Sequence, residues 1–372
     1  MNVDGKRVAV IAGAIAAMAI YVFVASGHER ETPRPSTLTL RDMALEHART
    51  RLGDLHAESL TTPPPDPAGT LSRARVTCQF VPRSPSGTSP KFDCALPDGE
   101  VVRVKYGREA EIHAEVAATH LLSALGYAAD RVYMVPSLRC YGCPSNPYLV
   151  MRALDLLGMQ RFRPGAAGGF LSDPADYADF EWVAVERKFE GIPIEDHERK
   201  GWAWWELKDV KAPIAELDAL RLVAVFLAHW DNKEENQRLV CVDATPHAAD
   251  QPCAEPVLML QDVGATFGPV KANVAQWEAT PVWSDRATCT VSMRALPYQG
   301  STFPDARISD AARVRVGRDL ASFTDAELRV WLASARLPEF YTATADERDL
   351  AVWTRAFRRR VEQILDGGPC PQ

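Results

Sequence analysis

The sequence lacks a lysine and arginine cluster of the nucleic-acid-binding type, and its 42 basic residues are outnumbered by 49 acidic ones. A protein that binds nucleic acid mainly by neutralising phosphates needs such a cluster, so we expect no nucleic-acid partner. The sequence also lacks an internal repeat. It is not short of apolar residues, because 47% of the chain is hydrophobic and 24% is charged, which is typical of a globular protein. A length of 372 residues fits two domains or one domain with two lobes.

Charged side chains are absent from Val8 to Ser26. At ~1.5 Å per residue, a helix of this length matches the hydrocarbon core of a bilayer, so we expect one transmembrane helix. Lys6 and Arg7 precede it, and the positive-inside rule then places the N-terminus in the cytoplasm. A cleavable signal peptide is the alternative, because Val24-Ala25-Ser26 offers small residues at plausible cleavage positions. Either version predicts an extracytoplasmic main domain, in the periplasm or at the cell surface.

A second CxxC motif is absent, so the pair Cys140-x-x-Cys143 has no matching pair with which to complete a zinc cluster. The pair precedes Pro144 and an extended segment rather than opening a helix, which argues against a redox motif. An even number of cysteines in an exported protein predicts disulfides, although spacing alone does not fix their connectivity. The eight candidates are Cys78, Cys94, Cys140, Cys143, Cys241, Cys253, Cys289 and Cys370, and the pairs Cys78/Cys94 and Cys241/Cys253 each flank a predicted hairpin.

A polar linker is predicted to follow the charge-free stretch. It contains a short amphipathic helix, because apolar residues recur at helical spacing from Leu40 to Leu55. The segment Pro63–Pro67 then predicts a stiff, extended spacer, since each proline fixes its φ and removes a backbone donor. The main domain is therefore expected to begin near Leu71.

The first part of the main domain alternates apolar and polar residues between turn sequences, which is typical of strands. Three strands are predicted to form a meander, and a helix then ends at Gly126, a typical C-terminal cap. A long helix, a hairpin and a mostly helical C-terminal part follow. The predicted strands are Arg75–Val81, Lys91–Leu96, Glu100–Tyr106, Arg131–Leu138, Tyr148–Leu154, Trp182–Phe189, Arg238–Val242 and Val257–Gln261, and the two helices run through Ala114–Leu125 and Leu217–His229.

The order of meander, helix, long helix, polar loop and hairpin resembles the protein-kinase-like fold, with the polar loop His229–Asn236 as a catalytic loop and Gln261-Asp262-Val263-Gly264 closing the hairpin. The resemblance covers roughly Leu71 to Gly268. It is nearest to the atypical branches, namely HipA-type kinases, phosphatidylinositol kinases and secretory-pathway kinases. It implies an α+β fold of two lobes, with a small antiparallel sheet in the N-lobe and a mainly helical C-lobe.

The resemblance implies a membrane-tethered, extracytoplasmic phosphotransferase that uses ATP, or another nucleoside triphosphate, and a divalent metal. Its acceptor could be a protein, a lipid, a glycan or a small molecule, and either a phosphoryl or a nucleotidyl group could be transferred. The expected organisation is a cytoplasmic N-terminus at 1–7, a transmembrane helix at 8–26, a linker at 27–70, a kinase-like N-lobe at 71–190 and a kinase-like C-lobe at 191–372.

Phosphoryl transfer spreads negative charge that a protein can only position and neutralise, which explains the residue types in the two loops. By the resemblance, Asp231 orients or deprotonates the acceptor hydroxyl. Asn236, five residues further on, and Asp262 hold the metal that bridges the nucleotide phosphates. Magnesium or manganese suits this oxygen-ligand set.

Lys105 lies on the third strand of the meander, where alternation places it on one face with Val101 and Arg103. It resembles the phosphate-holding lysine of kinases. Glu115, ten residues later on the following helix, is expected to approach Lys105 and hold its ammonium toward the phosphates. Glu111, one turn earlier, is the substitute.

The sequence departs from ordinary protein kinases at several positions. No Gly-x-Gly-x-x-Gly covers the phosphates, and the candidate loop between the first two strands contains only Gly87. Trp230 stands where those kinases have arginine, and Val263 replaces phenylalanine. The segment that binds adenine could be either Tyr148–Leu154 or Trp182–Phe189.

Two other functions remain open at the level of the sequence. The first is a pseudokinase, in which the same fold serves as an extracytoplasmic binding or scaffold module. The second is a hydrolytic metal site with His229, Asp231 and Asp262 as ligands. Asp231 and Asn236 at loop spacing suit a phosphate-bridged ion better than such an all-protein cage.

Overall fold

A computed structural model of the chain describes residues 39–371 except 54, 56–58, 158–172, 174, 244–251, 298–299, 341–343 and 346–347. The cytoplasmic N-terminus and transmembrane helix expected at 1–26 lie outside the described residues. Within the described ranges, no helix is both long and apolar enough to cross a bilayer. Residues Thr39–Gln372 form one compact unit of mixed α+β structure.

Five strands close into a barrel in the order β1-β2-β3-β5-β4. Strands β1 and β4 pair in parallel and the other neighbours are antiparallel, so the expected purely antiparallel sheet is wrong at this one seam. Closure pairs the first strand with the fourth, which local alternation cannot predict. The strands are β1 (Val76–Val81), β2 (Lys91–Ala95), β3 (Val101–Lys105), β4 (Arg131–Tyr141) and β5 (Tyr177–Arg187).

The remaining part of the chain is mainly helical and carries a three-stranded sheet, β6-β7-β8, and a two-stranded one, β9-β10. The helical C-terminal part is thereby confirmed. The strands are β6 (Ile192–Pro193), β7 (Gln237–Cys241), β8 (Pro256–Leu260), β9 (Thr290–Val291) and β10 (Ala306–Arg307). The helices are α1 (Leu40–Glu46), α2 (Ala110–Ala124), α3 (Pro147–Leu156), α4 (Ile214–Leu227), α5 (Val274–Ala279), α6 (Asp310–Ala321), α7 (Asp325–Ser334) and α8 (Leu350–Leu365).

Two local predictions are wrong. The run Tyr148–Leu154 forms α3 rather than a strand, because Pro147 starts the helix and the side chain of Asn146 accepts a hydrogen bond from the Leu149 amide. The amphipathic helix ends at Glu46 instead of continuing to Leu55, since the chain turns to form a bridge between Arg49 and Val257. In both places a cap or a tertiary contact overrides the local hydrophobic pattern.

The proline-rich segment before β1 contacts the barrel. The Pro65 carbonyl accepts a hydrogen bond from Tyr133 at 2.7 Å, and Asp66 forms an ion pair with Arg187 at 2.9 Å. Asp66 also accepts hydrogen bonds from the Leu71 and Ser72 amides. These contacts fix the entry of the chain into β1.

All eight cysteines are paired. Two bridges lie in the barrel, where the Sγ atoms of Cys94 and Cys140 approach to 3.5 Å. A third bridge closes the β7–β8 hairpin, and the fourth joins residues 81 positions apart, a pairing that the sequence did not indicate. The bridges are Cys78–Cys94, Cys140–Cys143, Cys241–Cys253 and Cys289–Cys370.

The largest hydrophobic core holds the helices that support the loop after α4. Within it, the fully buried Arg360 on α8 donates to the carbonyls of Phe226 at 3.1 Å and Val225 at 2.9 Å. Burial lowers the pKa of Arg360 to about 9. These carbonyls belong to the last turn of α4, so Arg360 fixes the point at which the predicted catalytic loop begins.

Candidate functional site

A cavity of about 410 Å³ opens where the barrel meets the loops that follow α4 and β8. We call this cavity the cleft. Strands β2, β3 and β5, helix α2 and the loop between β1 and β2 form one wall, and the loops around Asn236 and Asp262 form the other. The cleft is lined by Ser86, Gly87, Lys91, Arg103, Lys105, Glu115, Glu186, Lys188, Lys233, Glu235, Asn236, Gln261 and Asp262.

Lys105 lines the cleft from the end of β3, where it is buried. Its Nζ is 2.6 Å from Oε1 of Glu115, 3.5 Å from Glu186 and 3.7 Å from Asp262. Burial acts to lower the pKa of Lys105, but the three carboxylates outweigh it and raise that pKa. The ammonium is therefore charged and held in one position.

Glu115 reaches Lys105 because α2 is fixed from its opposite side. Trp331 on α7 donates to the Ala117 carbonyl at 3.0 Å, and Nδ1 of His113 lies 3.1 Å from the Ala335 carbonyl. Burial, together with the charges of Glu186 and Asp262, raises the pKa of Glu115 to about 7 against the opposing effect of Lys105. Glu115 therefore loses its proton at a higher pH than a glutamate in water does.

Glu186 is a site residue that the sequence analysis missed. It lies near the end of β5, directly opposite Arg103 on β3 in the strand register. Burial acts to raise its pKa, but the charges of Lys105 and Lys188 outweigh this and lower it, so Glu186 is ionised. The only local indication was a glutamate that ends the apolar run Val183–Val185.

Asp262 follows β8 and has a left-handed φ of 52°. Residues other than glycine adopt this conformation at an energetic cost, and Asp and Asn adopt it more often than most of them. Its side chain is 42% exposed, against 4% for Glu115 and Glu186, so it is the carboxylate of the group that is open to solvent. Burial acts to raise its pKa, but Lys105 and Lys91 outweigh this and lower it.

The turn after Asp262 packs closely on the start of α2. A Cβ at Gly264 would lie 2.7 Å from Cγ and 2.9 Å from the carbonyl oxygen of Glu111, so this position requires glycine. Glu111 therefore lies against the turn, and Glu115 is the residue that pairs with Lys105.

Asp231 and Asn236 occupy opposite ends of one loop after α4. The side-chain nitrogen Nδ2 of Asn236 donates to the backbone carbonyl of Asp231 at 2.6 Å. The side-chain oxygen Oδ1 of Asn236 is then the atom that a cation can use. The Asn236 carbonyl in turn accepts from the Gln261 amide at 2.9 Å, which joins this loop to the strand before Asp262. Burial raises the pKa of Asp231, whose carboxylate lies 3.6 Å from Lys233.

His229 is fully buried beneath the same loop. Burial lowers its pKa to about 4, so the imidazole is neutral and contributes packing rather than charge. The ligand atoms of His229, Asp231 and Asp262 do not lie within 4.8 Å of one another, which is the convergence that a hydrolytic metal cage needs. Asp262 and Asn236 are the residues whose oxygens suit a magnesium or manganese ion.

The loop between β1 and β2 is held over the cleft by α3. Tyr148 on that helix donates to the Gly87 carbonyl at 3.0 Å, and Tyr106 donates to Asn146 at the start of the helix at 2.8 Å. Of the two segments considered for adenine binding, the end of β5 and Lys188 line the cleft, whereas α3 supports the loop.

Comparisons with known proteins give distant likenesses to kinases. No protein-family profile matches the chain, and no curated protein matches it. A Helicobacter pylori proinflammatory kinase, CtkA, is 10% identical over 77% of this chain and 97% of its own, with a TM-score of 0.33. A Golgi casein kinase with Mn/ADP bound is 11% identical over 80% of this chain and 75% of its own, with a TM-score of 0.37. Both TM-scores are low, so these likenesses are distant ones.

Proposed function

We propose that this chain is a kinase-like phosphotransferase that binds a nucleoside triphosphate and Mg²⁺ or Mn²⁺ in the cleft. The observation that carries the proposal is the position of Lys105, a buried ammonium held by Glu115 and Glu186 beside the exposed Asp262. A charge fixed in this way can position phosphates without reorganising during the reaction.

Each residue then has a distinct role. Lys105 holds the phosphates of the donor, and Asp262 with Asn236 supplies the oxygen atoms that would hold the metal. The bound metal would neutralise charge on the transferred phosphoryl group. Asp231 accepts the proton of the acceptor hydroxyl while the oxygen of that hydroxyl forms a bond to the γ-phosphorus. The bond from the γ-phosphorus to the nucleoside diphosphate breaks, and the diphosphate leaves. Burial favours this proton uptake, because it raises the pKa of Asp231.

The proposal includes an extracytoplasmic location, with the chain tethered by its charge-free segment Val8–Ser26. Four disulfides among the described residues support it, because such bridges persist in oxidising compartments. Alkaline phosphatase and a cytoplasm-only reporter, each fused after Gly69, test the location in bacteria. Activity of the cytoplasmic reporter alone would contradict it.

Thermal unfolding of the full chain with ATP or ADP, with and without Mn²⁺ or Mg²⁺, tests the site. Metal-dependent nucleotide binding should raise the melting temperature, because a ligand at 100 times its Kd adds about 2.7 kcal/mol to the free energy of unfolding. An unchanged melting temperature with both metals would contradict the proposed nucleotide site. Binding without measurable transfer to any acceptor or to water would favour the pseudokinase.

A further inference from the structure

Lys91 lines the cleft beside Lys105 and has no role in the function proposed above. It begins β2, and the strand register places it directly opposite Lys105 on β3. Only 7% of the residue is exposed. Two lysines therefore occupy neighbouring positions on the barrel wall, although the sequence analysis singled out one.

The two lysines differ in their partners. Lys105 has three carboxylates within 4.0 Å, whereas Lys91 forms no ion pair or side-chain hydrogen bond with any residue in the described ranges. The other cations lining the cleft each have a carboxylate within that distance. These pairs are Arg103–Asp93 at 3.1 Å, Lys188–Asp130 at 3.0 Å and Lys233–Asp231 at 3.6 Å.

A buried ammonium without a counter-charge is costly, because it loses hydration that nothing replaces. Burial and the neighbouring charge of Lys105 both lower the pKa of Lys91, and the charges of Asp262 and Glu115 only partly oppose them. An anion in the cleft would remove this cost, which is the reason that Lys91 indicates a ligand.

The loop above Lys91 is shaped to leave its ammonium accessible from the cleft. A Cβ at Gly87 would lie 3.1 Å from Nζ of Lys91, and the φ of Gly87 is +76°, where a side chain would be strained. The Gly87 carbonyl is fixed by Tyr148. The loop therefore approaches Lys91 with its backbone alone.

The chemistry of the cleft favours phosphate over a base. Among the described residues that line it, none has an apolar side chain. Sites for organic ligands are predominantly apolar, with a few polar groups that fix orientation. Charged and hydrogen-bonding groups therefore predominate among the side chains that this lining offers to a ligand.

We propose that Lys91 binds the phosphate chain of the donor, and that the cleft recognises the donor by its polyphosphate rather than by its base. The inference rests on the proposed function, whose donor it specifies. Lys105 and Lys91 then differ in kind: the first is fixed by the protein's own carboxylates, and the second gains its counter-charge from the ligand.

Inorganic tripolyphosphate with Mn²⁺ is the probe, measured by calorimetry on the full chain. It should bind with an affinity within about tenfold of that of ATP with Mn²⁺. Lys91→Met should weaken tripolyphosphate binding at least about tenfold, which is 1.4 kcal/mol. The variant should also raise the melting temperature of the ligand-free protein, because it removes an uncompensated buried charge. Lys91→Arg should retain most of the binding.

A matched control is Lys211→Met, since Lys211 is an exposed lysine paired with Glu46 outside the cleft. It should change neither tripolyphosphate binding nor turnover. Wild-type affinity in Lys91→Met, or a melting temperature that falls in that variant, would overturn the assignment of Lys91, because a merely structural lysine would destabilise the chain when removed.

The remaining outcomes separate the two proposals. Binding of ATP with Mn²⁺ and phosphoryl transfer without tripolyphosphate binding would overturn the polyphosphate inference and leave the proposed function intact. Tripolyphosphate binding that depends on Lys91, without transfer from ATP, would support the polyphosphate inference and overturn the proposed phosphotransferase activity. If wild type binds neither ligand, both proposals fail.

Discussion

The barrel wall of the cleft carries Lys91 and Lys105, whereas the wall formed by the two loops carries Asp262 and Asn236. Lys91 and Lys105 project from adjacent strands whose register fixes their separation. Asp262 and Asn236 come from segments that need a left-handed φ or a short 3₁₀ turn to reach the cleft. Under the proposed function, phosphates would be neutralised from opposite sides, by ammonium groups on the strands and by a metal held on the loops.

Removing the exposed carboxylate of the loop wall should have the largest effect. Asp262→Ala should abolish metal-dependent nucleotide binding, because it deletes the proposed metal ligand and leaves Asn236 alone. Calorimetry with ADP and Mn²⁺ measures this. Asp305→Ala is the matched control, since Asp305 is also 42% exposed but pairs with Arg294 elsewhere. A folded Asp262→Ala that binds metal and nucleotide as wild type does would show that the site is misplaced.

Lys105→Met acts on the barrel wall and should both weaken nucleotide binding and destabilise the fold. It leaves Glu115 and Glu186 buried without their shared partner, a change that costs about 3–5 kcal/mol. Urea unfolding monitored by circular dichroism measures the decrease in the free energy of unfolding. The change in stability should be opposite in sign to that of Lys91→Met, which is expected to stabilise the fold. A Lys105→Met variant as stable as wild type would contradict the distinction between the two lysines.

Asp231→Asn should separate binding from turnover on the loop wall. Its proposed partner is the acceptor hydroxyl, so nucleotide affinity should stay near the wild-type value while transfer falls by about 100-fold to 10,000-fold. Nucleotide affinity and single-turnover rate are measured on the same preparation. Equal losses in both would place Asp231 among the groups that hold the donor instead.

The pH dependence of stability should show the smallest effect, on the carboxylates that hold Lys105. Because the pKa of Glu115 is raised to about 7 in the folded chain, the folded state binds more protons than the unfolded state between pH ~4.5 and 7. This residue's stabilisation is therefore complete below pH ~4.5 and is lost as the pH rises through 7, by about 1–3 kcal/mol.

Urea unfolding of wild type and Glu115→Gln across this range isolates that component. The stability of the variant relative to wild type should improve as the pH rises from 5 to 8, because only wild type loses the contribution of Glu115. Parallel curves for the two proteins would show that Glu115 stays ionised throughout and that its pKa is not raised.

Local sequence determined the strands around the cleft and the spacing of several site residues. Alternation predicted β1 to β3, and the ten positions from Lys105 to Glu115 suit a strand followed by the second turn of a helix. The hairpins flanked by Cys78 and Cys94 and by Cys241 and Cys253 were predicted for the same reason, although the pairing of the cysteines was left open. In each case the partners are close in sequence, so their geometry follows from the local conformation.

Tertiary structure alone brought Lys91 and Glu186 to Lys105, closed the barrel through β1 and β4, and joined Cys289 to Cys370. Periodicity shows which face of a strand a side chain occupies, but not which strand lies beside it. The partners of a buried charge depend on that neighbour, and strand pairing is a property of the whole fold. The sequence therefore singled out Lys105, and the fold decided which carboxylates hold it and placed Lys91, which has no ion pair among the described residues, beside it.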